Sequence, residues 1–462
     1  TSSIWGSNAS AGVINIITKE AKDGVHGSLA LSYGSYRTRG TDTDLSYKDE
    51  KITAQVLASY LKTDGFSALA PRSAEDDGYT NKNYNIKLGY AFNANNQLNL
   101  RYSRIKTDTE FDYVDPNDSS STSSSDQKNY ALDYTFKLDK YRATFHTSKG
   151  EYDREYSYGT FNATLKEYAL INAYDYTNGK AVLGFEYKDI DGLTAGAYTN
   201  KAIFLSNTYN IYDNTLLETN LRYDDYDAFE NKTTYKMGLK HNHTALEGLT
   251  TSANYYTSYD APSSYQLAYQ LSPDVLLKPA YTKGYDISAS YKELLSVSYF
   301  NTEVEDGIDW VSLFDSEWNY IGGGYTNIEG KQKFSGLELQ SSYALSSLNI
   351  HLSANYTHLF KYEKEDGTDL IRRAKDTLNG SIDYYTNTNT HFGINTQYVG
   401  DREEFGQSTG NYTLWNLNFG TKIIQDIDLI LNARNIFNKE YESVDGYATE
   451  GRSLYAKVKY SF

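Results

Sequence analysis

Along most of the chain, apolar and polar residues alternate with a period of two, the mark of strands with one dry face and one wet face. Ile52, Ala54, Val56, Ala58 and Tyr60 fall on one side, with Lys51, Thr53, Gln55 and Ser59 opposite. Leu98, Leu100 and Tyr102 do the same against Gln97, Asn99, Arg101 and Ser103, and Tyr141, Ala143 and Phe145 against Arg142, Thr144 and His146. The pattern returns in Leu348, Ile350, Leu352, Ala354 and Tyr356, and again in Ile427, Leu429, Leu431 and Ala433. No helical stripe of period 3.6 competes with these segments.

The connections between segments alternate in length. Short turns fall near Lys48–Glu50, Asn93–Asn96, Leu138–Lys140, Thr177–Gly179, Tyr212–Asn214, Ser346–Ser347, Thr386–Asn389 and Gln425–Asp426, several with the Asn, Asp and Gly chemistry of tight hairpins. Between them lie mostly longer polar stretches, at about 63–81, 108–126, 153–161, 191–199, 259–281, 307–323, 362–371, 401–411 and 437–451. Short turns at one end and long loops at the other describe an outer-membrane barrel. About 22 strands are predicted, the size of plugged transporters rather than of small open pores. A soluble propeller would instead repeat a blade motif every ~40–50 residues, and none recurs.

The final segment completes the expectation. Leu454, Ala456, Val458, Tyr460 and Phe462 form an apolar face, with Ser453, Lys457, Lys459 and Ser461 behind. A closed barrel pairs its last strand with its first, predicted here at about Ser28–Tyr36, so that no edge stays open in lipid. The fold class is therefore all-β, a transmembrane antiparallel barrel.

Composition agrees with this reading and excludes others. There is no run of 18 apolar residues, so no transmembrane helix is encoded. Tyr is present 47 times, and its amphipathic ring collects where an apolar surface meets water. A barrel with a wet lumen reconciles that with a mean hydropathy of -0.64. The net charge of -16 disfavours nucleic acid as a partner. The absence of cysteine excludes disulfides and thiolate metal sites. There is no nucleophile elbow, phosphate-cradling Gly loop or His-Glu-x-x-His motif, so no enzyme activity is predicted. His241-x-His243 sits near a turn and is a weak metal candidate; Gly322-Gly323-Gly324 reads as a flexible loop.

One stretch departs from alternation. Ser3 to Lys19 feeds a small-residue run into Val13-Ile14-Asn15-Ile16-Ile17, a pattern that suits a strand buried on both faces. It resembles the last plug strand of TonB-dependent outer-membrane receptors, whose pattern runs Tyr-Gly-Ser-x-Ala-x-Gly-Gly-Val-Ile-Asn-Ile-Ile-Thr-Lys. Trp5 stands for the Tyr and Ala11 for the first Gly. The resemblance divides the chain into a plug remnant at 1–22 and a receptor barrel at 23–462. It implies that the sequence is the remainder of a longer precursor, whose N-terminal box and plug would couple to TonB. Ending on Phe462 also resembles the terminal aromatic signal of outer-membrane proteins.

Further motifs narrow the resemblance to the cobalamin receptor branch. The run Asn435-Ile436-Phe437-Asn438-Lys439-Glu440-Tyr441-Glu442, continuing to Gly446-Tyr447-Ala448-Thr449-Glu450-Gly451-Arg452, is similar to a C-terminal signature of that branch. Leu370-Ile371-Arg372-Arg373-Ala374-Lys375 has a counterpart there, and Asn327 to Gly330 with Ser335 to Glu338 matches the wider family. Around Ala261-Pro262 the match is looser: neither the family's usual Asn-Pro-x-Leu nor the Arg and His of haem receptors follows, so haem is disfavoured. The resemblance implies import of cobalamin across the outer membrane, with a ferric siderophore as the alternative and a passive porin as a lesser one. Ligand contacts are expected among loops and plug; the loop tyrosines Tyr113, Tyr156 and Tyr158 are plausible surfaces with nothing to choose among them.

The acidic stretch Thr107–Gln127 holds Asp108, Glu110, Asp112, Asp115, Asp118 and Asp126 without a Lys or Arg. Clustered carboxylates are what calcium, which takes six to eight oxygen ligands, requires. The same composition also describes a solvated, self-repelling loop. The cobalamin branch orders two adjacent extracellular loops with calcium through aspartates. The resemblance places Asp112 and Asp126 on one such loop and Asp153, following Tyr152, on the next; Asp115 and Asp118 join them by proximity alone.

Overall fold

The computed structural model describes residues 6, 12–16, 19–69, 75–112, 121–157, 159–192, 196–272, 274, 276–317, 319–386 and 388–462. Twenty-two strands form one antiparallel sheet. The first eleven are Gly24–Gly34, Thr38–Lys48, Ile52–Thr63, Tyr79–Asn93, Asn96–Phe111, Ser121–Leu138, Tyr141–Tyr156, Gly159–Tyr176, Gly179–Gly192, Tyr198–Tyr212 and Thr215–Tyr226. The rest are Lys232–Asn242, Leu249–Asp260, Ala280–Tyr291, Leu295–Glu305, Lys331–Leu345, Ile350–Glu363, Asp376–Tyr385, His391–Val399, Tyr412–Ile424, Ile427–Arg434 and Ser453–Ser461. Each pairs with the next, and the last returns to the first from Ser28↔Ser461 to Gly34↔Tyr455. Backbone bonds between Gly27 and Phe462, both 2.9 Å, finish the seam. Closure leaves the barrel no edge, as lipid demands.

The alternation decides which face is which. Leu29, Leu31, Val56, Ile86, Leu88, Leu205, Leu221, Ile287 and Leu431 all project outward and stay exposed, an apolar belt without protein against it. The intervening residues face the lumen. This inversion of a soluble protein, with its large apolar residues outside, marks a barrel that lies in lipid. No helix among the described residues is long and apolar enough to cross a membrane, which says nothing of spanning by strands.

Connections of two to six residues, from 94–95 to 243–248, close every hairpin at one end. The predicted short turns all lie there, as do Gly24 and Phe462. The other end carries the long connections, at 64–78, 261–279, 306–330, 364–375, 400–411 and 435–452. Inside two of them, small hairpins form, Ile308–Phe314 with Tyr320–Asn327 and Glu403–Glu404 with Gln407–Ser408.

Four expectations need correction. The loop predicted at 108–126 shrinks to 112–120, and that at 153–161 to 157–158, because the strands on either side run on. A strand spans the bilayer with about 9–11 residues; Ser121–Leu138 has 18, so it projects well past the membrane. There both faces meet water, and alternation gives no signal. Gly322–Gly324 lies within the paired strand Tyr320–Asn327, not in a flexible loop. A Cβ on Gly324 would stand 2.5 Å from Leu271 Cα, so glycine allows the backbone of 269–271 to pair alongside, with Leu271 N–H donating to Tyr325 O at 2.8 Å.

The predicted buried strand at 13–17 is the fourth. Gly12–Ile16 forms no regular element, and Ile14 and Ile16 are 91% and 81% exposed. A strand needs a ladder partner, and the barrel's first and last strands are already spent on each other. Helix was not expected either, yet Ser264–Ala268 is helical. Its capping box, Ser263 with Gln266, satisfies the first turn reciprocally.

Candidate functional site

The predicted aspartates do not converge. Asp112 accepts a hydrogen bond from Leu69 N–H at 3.1 Å and so belongs to the 64–78 loop. Beside it, Asp77 accepts from Ala68 N–H at 2.7 Å and Glu110 from Gly78 N–H at 3.0 Å. Three carboxylates thus staple one loop by its backbone. Burial, reinforced by the charges of Asp112, Glu75 and Glu110, raises the Asp77 pKa. Asp126 lies in a strand, where Arg104 grips it through Nε at 2.9 Å and Nη2 at 2.7 Å. Asp153 stands directly across from it on the next strand and is exposed. The guanidinium already supplies the counter-charge this pair would seek from a cation. Asp115, Asp118, Tyr113 and Tyr158 lie outside the described residues, while Tyr156 ends its strand. No group of three or more His, Asp or Glu fit to hold a metal occurs among the described residues. His241 and His243 stack edge to face and donate to or accept from Thr215 and Thr251 rather than converging on a third ligand.

The signature run at 435–452 turns out to be a loop hub. Asn435 binds Lys439 O, Glu450 O and Lys439 N–H, folding the loop back on itself. Arg402 donates to Ser443 O at 3.0 Å and Glu442 O at 2.6 Å while its guanidinium covers the Tyr412 ring. Glu404, 4% exposed, accepts from Arg372 Nε at 2.6 Å and from Asp445 N–H at 2.9 Å. One carboxylate therefore ties the loops 364–375, 400–411 and 435–452 together. Ala448 N–H extends the tie to Ala68 O in the 64–78 loop at 2.8 Å.

Burial alone would raise the Glu404 pKa, but Arg372 and the Asp445 amide outweigh it and hold the carboxyl below the ordinary glutamate value. The latch is therefore intact at neutral pH and is lost as pH falls through that lowered value. Glu404→Gln is expected to cost about 1–3 kcal/mol of local stability. Limited proteolysis at pH 7 should then cut 435–452 faster, as the unaltered protein would be cut only in acid. Equal cutting rates would show that the latch holds nothing.

At the loop-side ends of the strands, aromatic residues pack together. Tyr198, Tyr226, Tyr259, Leu267 and Leu277 form a buried cluster against Phe229, Tyr281 and Tyr325. The helix Ser264–Ala268 supplies Leu267, so the Ala261-Pro262 departure from the family pattern builds part of this cluster. The signal missed in the sequence was the Ser263-x-x-Gln266 box.

Deeper, the lumen wall carries a buried charge network. Arg222, 1% exposed, donates through Nε to Asp224 at 2.8 Å and through Nη2 to both Asp224 and Glu186. Lys188 pairs with Glu186 at 3.0 Å. Nη1 of Arg222 finds no partner among the described residues. Gly6 reaches this wall: a Cβ on it would lie 3.3 Å from Arg222 Nη2 and 3.4 Å from Lys188 Nζ.

A closed lipid-facing barrel with long loops at one end and a polar lumen defines an outer-membrane protein of the receptor type. The chain belongs to the TonB-dependent receptor family: the family described as "TonB dependent receptor-like, beta-barrel" matches residues 21–436. It is similar to the vitamin B12 transporter BtuB of Photobacterium profundum, 26% identical over 99% of this chain and 78% of the relative. The BtuB of Vibrio vulnificus is 24% identical over the same shares. Among solved structures it resembles the siderophore receptor PirA of Acinetobacter baumannii, with a TM-score of 0.85 at 15% identity, covering 100% of this chain and 84% of that one. A ferric enterobactin receptor PfeA of Pseudomonas aeruginosa gives 0.84 at 16%, over 100% and 83%. These likenesses show the fold. Membership places the protein in the outer membrane, in a family of receptors and transporters rather than of enzymes.

Proposed function

We propose that this barrel imports cobalamin, taking the ligand between its loops and the N-terminal plug and drawing on TonB for energy. The observation that carries the reading is the similarity to two vitamin B12 transporters across 99% of the chain. The latch supports it, since the two runs that resemble the cobalamin branch, 370–375 and 435–452, meet at Glu404. Latched loops present a preformed rim, so less ordering is required when a ligand binds. Below the rim, the polar lumen suits passage of a large hydrophilic nutrient. Calcium enters this proposal only through the resemblance to the cobalamin branch, because Arg104 occupies Asp126 and no carboxylate cluster fit to hold a metal occurs among the described residues.

The test is a titration of the full receptor, plug included, with cyanocobalamin in calcium and in chelator. Saturable binding is expected, weakened in chelator. Binding of a ferric siderophore with no response to cyanocobalamin would overturn the ligand and leave the transporter class standing. Binding indifferent to chelator would remove calcium alone.

A further inference from the structure

The lipid-facing side of one wall carries a regular basic pattern. Across five strands, the outward residue two positions toward the loop end from a tyrosine is cationic: Lys62 after Tyr60, Lys82 before Tyr84, Arg104 after Tyr102, Lys128 before Tyr130 and Lys166 before Tyr168. Lys106 and Lys149 extend it. The register sets three pairs directly opposite one another: Lys82↔Lys106, Arg104↔Lys128 and Lys149↔Lys166. Like charges so placed destabilise a sheet, and here they lie where water gives way to lipid.

The local acids compensate only in part. Asp126 serves Arg104 and, at 3.9 Å, Lys128; Glu151 pairs with Lys149 at 2.6 Å and Asp189 with Lys166 at 3.0 Å. Three carboxylates thus face the six cations of these pairs. Lys82 and Lys106 have no ion pair within 4 Å among the described residues, and Asp108, Asp153 and Asp191 stand further toward the loops. This excess of positive charge arises in a chain of net charge -16. It is also interrupted: later strands add outward Lys201, Lys283, Lys331 and Lys333, with Lys283 and Lys331 paired to Glu303 and Glu305, and the pattern then stops. The outward positions of the strands from Asp376–Tyr385 to Ser453–Ser461, among them Leu378, Ile394, Trp415, Leu431 and Val458, include no Lys or Arg. A general interfacial belt would run all round.

We infer that this wall is a binding site for the phosphate groups of a lipid in the outward-facing leaflet. The cations sit at headgroup height just beyond the tyrosines, and exposed Tyr84, Ile86 and Leu88 continue the surface downward for acyl chains. Free phosphate would gain nothing from that apolar continuation. The site depends on how the barrel lies in the membrane and is independent of the nutrient imported.

The experiment uses the protein in detergent micelles, titrated with bisphosphorylated lipid A and followed by native mass spectrometry. The comparison is Lys82→Gln/Lys106→Gln/Lys128→Gln, with its fold checked by retention of an SDS-resistant barrel band. Each lysine removed is expected to weaken binding about fivefold, and the three together roughly a hundredfold. Dephosphorylated lipid A should bind the unaltered protein as weakly as lipid A binds the variant. Equal affinity of variant and unaltered protein, or tight binding of dephosphorylated lipid, would overturn the site. Inorganic phosphate binding as tightly as lipid A would assign the cations to a free anion instead.

Discussion

Arg222→Met should cost about 3–5 kcal/mol, because removing one partner of a buried ion cluster strands the others. Glu186 and Asp224 are nearly enclosed on the lumen wall, with side-chain exposures of 10% and 3%. Methionine keeps the length and the packing against Phe204, which the guanidinium now covers at 5.6 Å. The loss then reports charge and not volume. Urea unfolding of the barrel in lipid vesicles reads it directly. Gly6 should also lose a neighbour, since it rests against the same guanidinium. A triple change with Glu186→Gln and Asp224→Asn should recover part of the cost. An Arg222→Met barrel as stable as the unaltered one would show that water, not Arg222, satisfies the two carboxylates.

Gly34→Val strikes the seam. A Cβ there would meet the Tyr455 ring at 2.2 Å and the Leu454 carbonyl oxygen at 2.7 Å. A ring can rotate away, but a backbone oxygen in a ladder cannot. The first and last strands would have to separate at their loop-side end, where Gly34 faces Tyr455 and Ser35 N–H binds Leu454 O. An opened seam exposes unpaired amides to lipid at several kcal/mol each. The variant is expected to yield little heat-modifiable, SDS-resistant barrel, whereas Gly420→Ala, with no atom within 4 Å of the added carbon, should assemble normally. Normal assembly of both would mean that the seam yields more readily than its geometry implies.

The barrel was legible because its wall separates lipid from water residue by residue. Wherever that contrast exists, as at Ile52–Tyr60 or Leu454–Phe462, alternation shows the strand and its outward face. Where it disappears the signal disappears as well: Ser121–Ser125 and Asp153–Tyr156 are strand, yet both their faces are wet and their residues read as loop. Val13–Ile16 shows the reverse error, an apolar run that looks like strand but has no ladder to join. The candidate site was legible only as motif. Arg372 and the 435–452 run stood out, but Glu404, which unites them, has nothing in its neighbourhood to mark it. Arg222 was equally silent, because three-dimensional register, not sequence spacing, brings Glu186 to it.

The seam has a kinetic meaning. It joins Leu29 to Tyr460 and Gly27 to Phe462, residues at opposite ends of the chain. Pairing over such separations carries the largest loop-closure entropy and comes slowly. Until the final ribbon has been synthesised and delivered, the initial one waits as a bare template able to recruit a neighbouring polypeptide. A cell making this protein must therefore hold the nascent chain apart from its siblings until that ribbon has arrived.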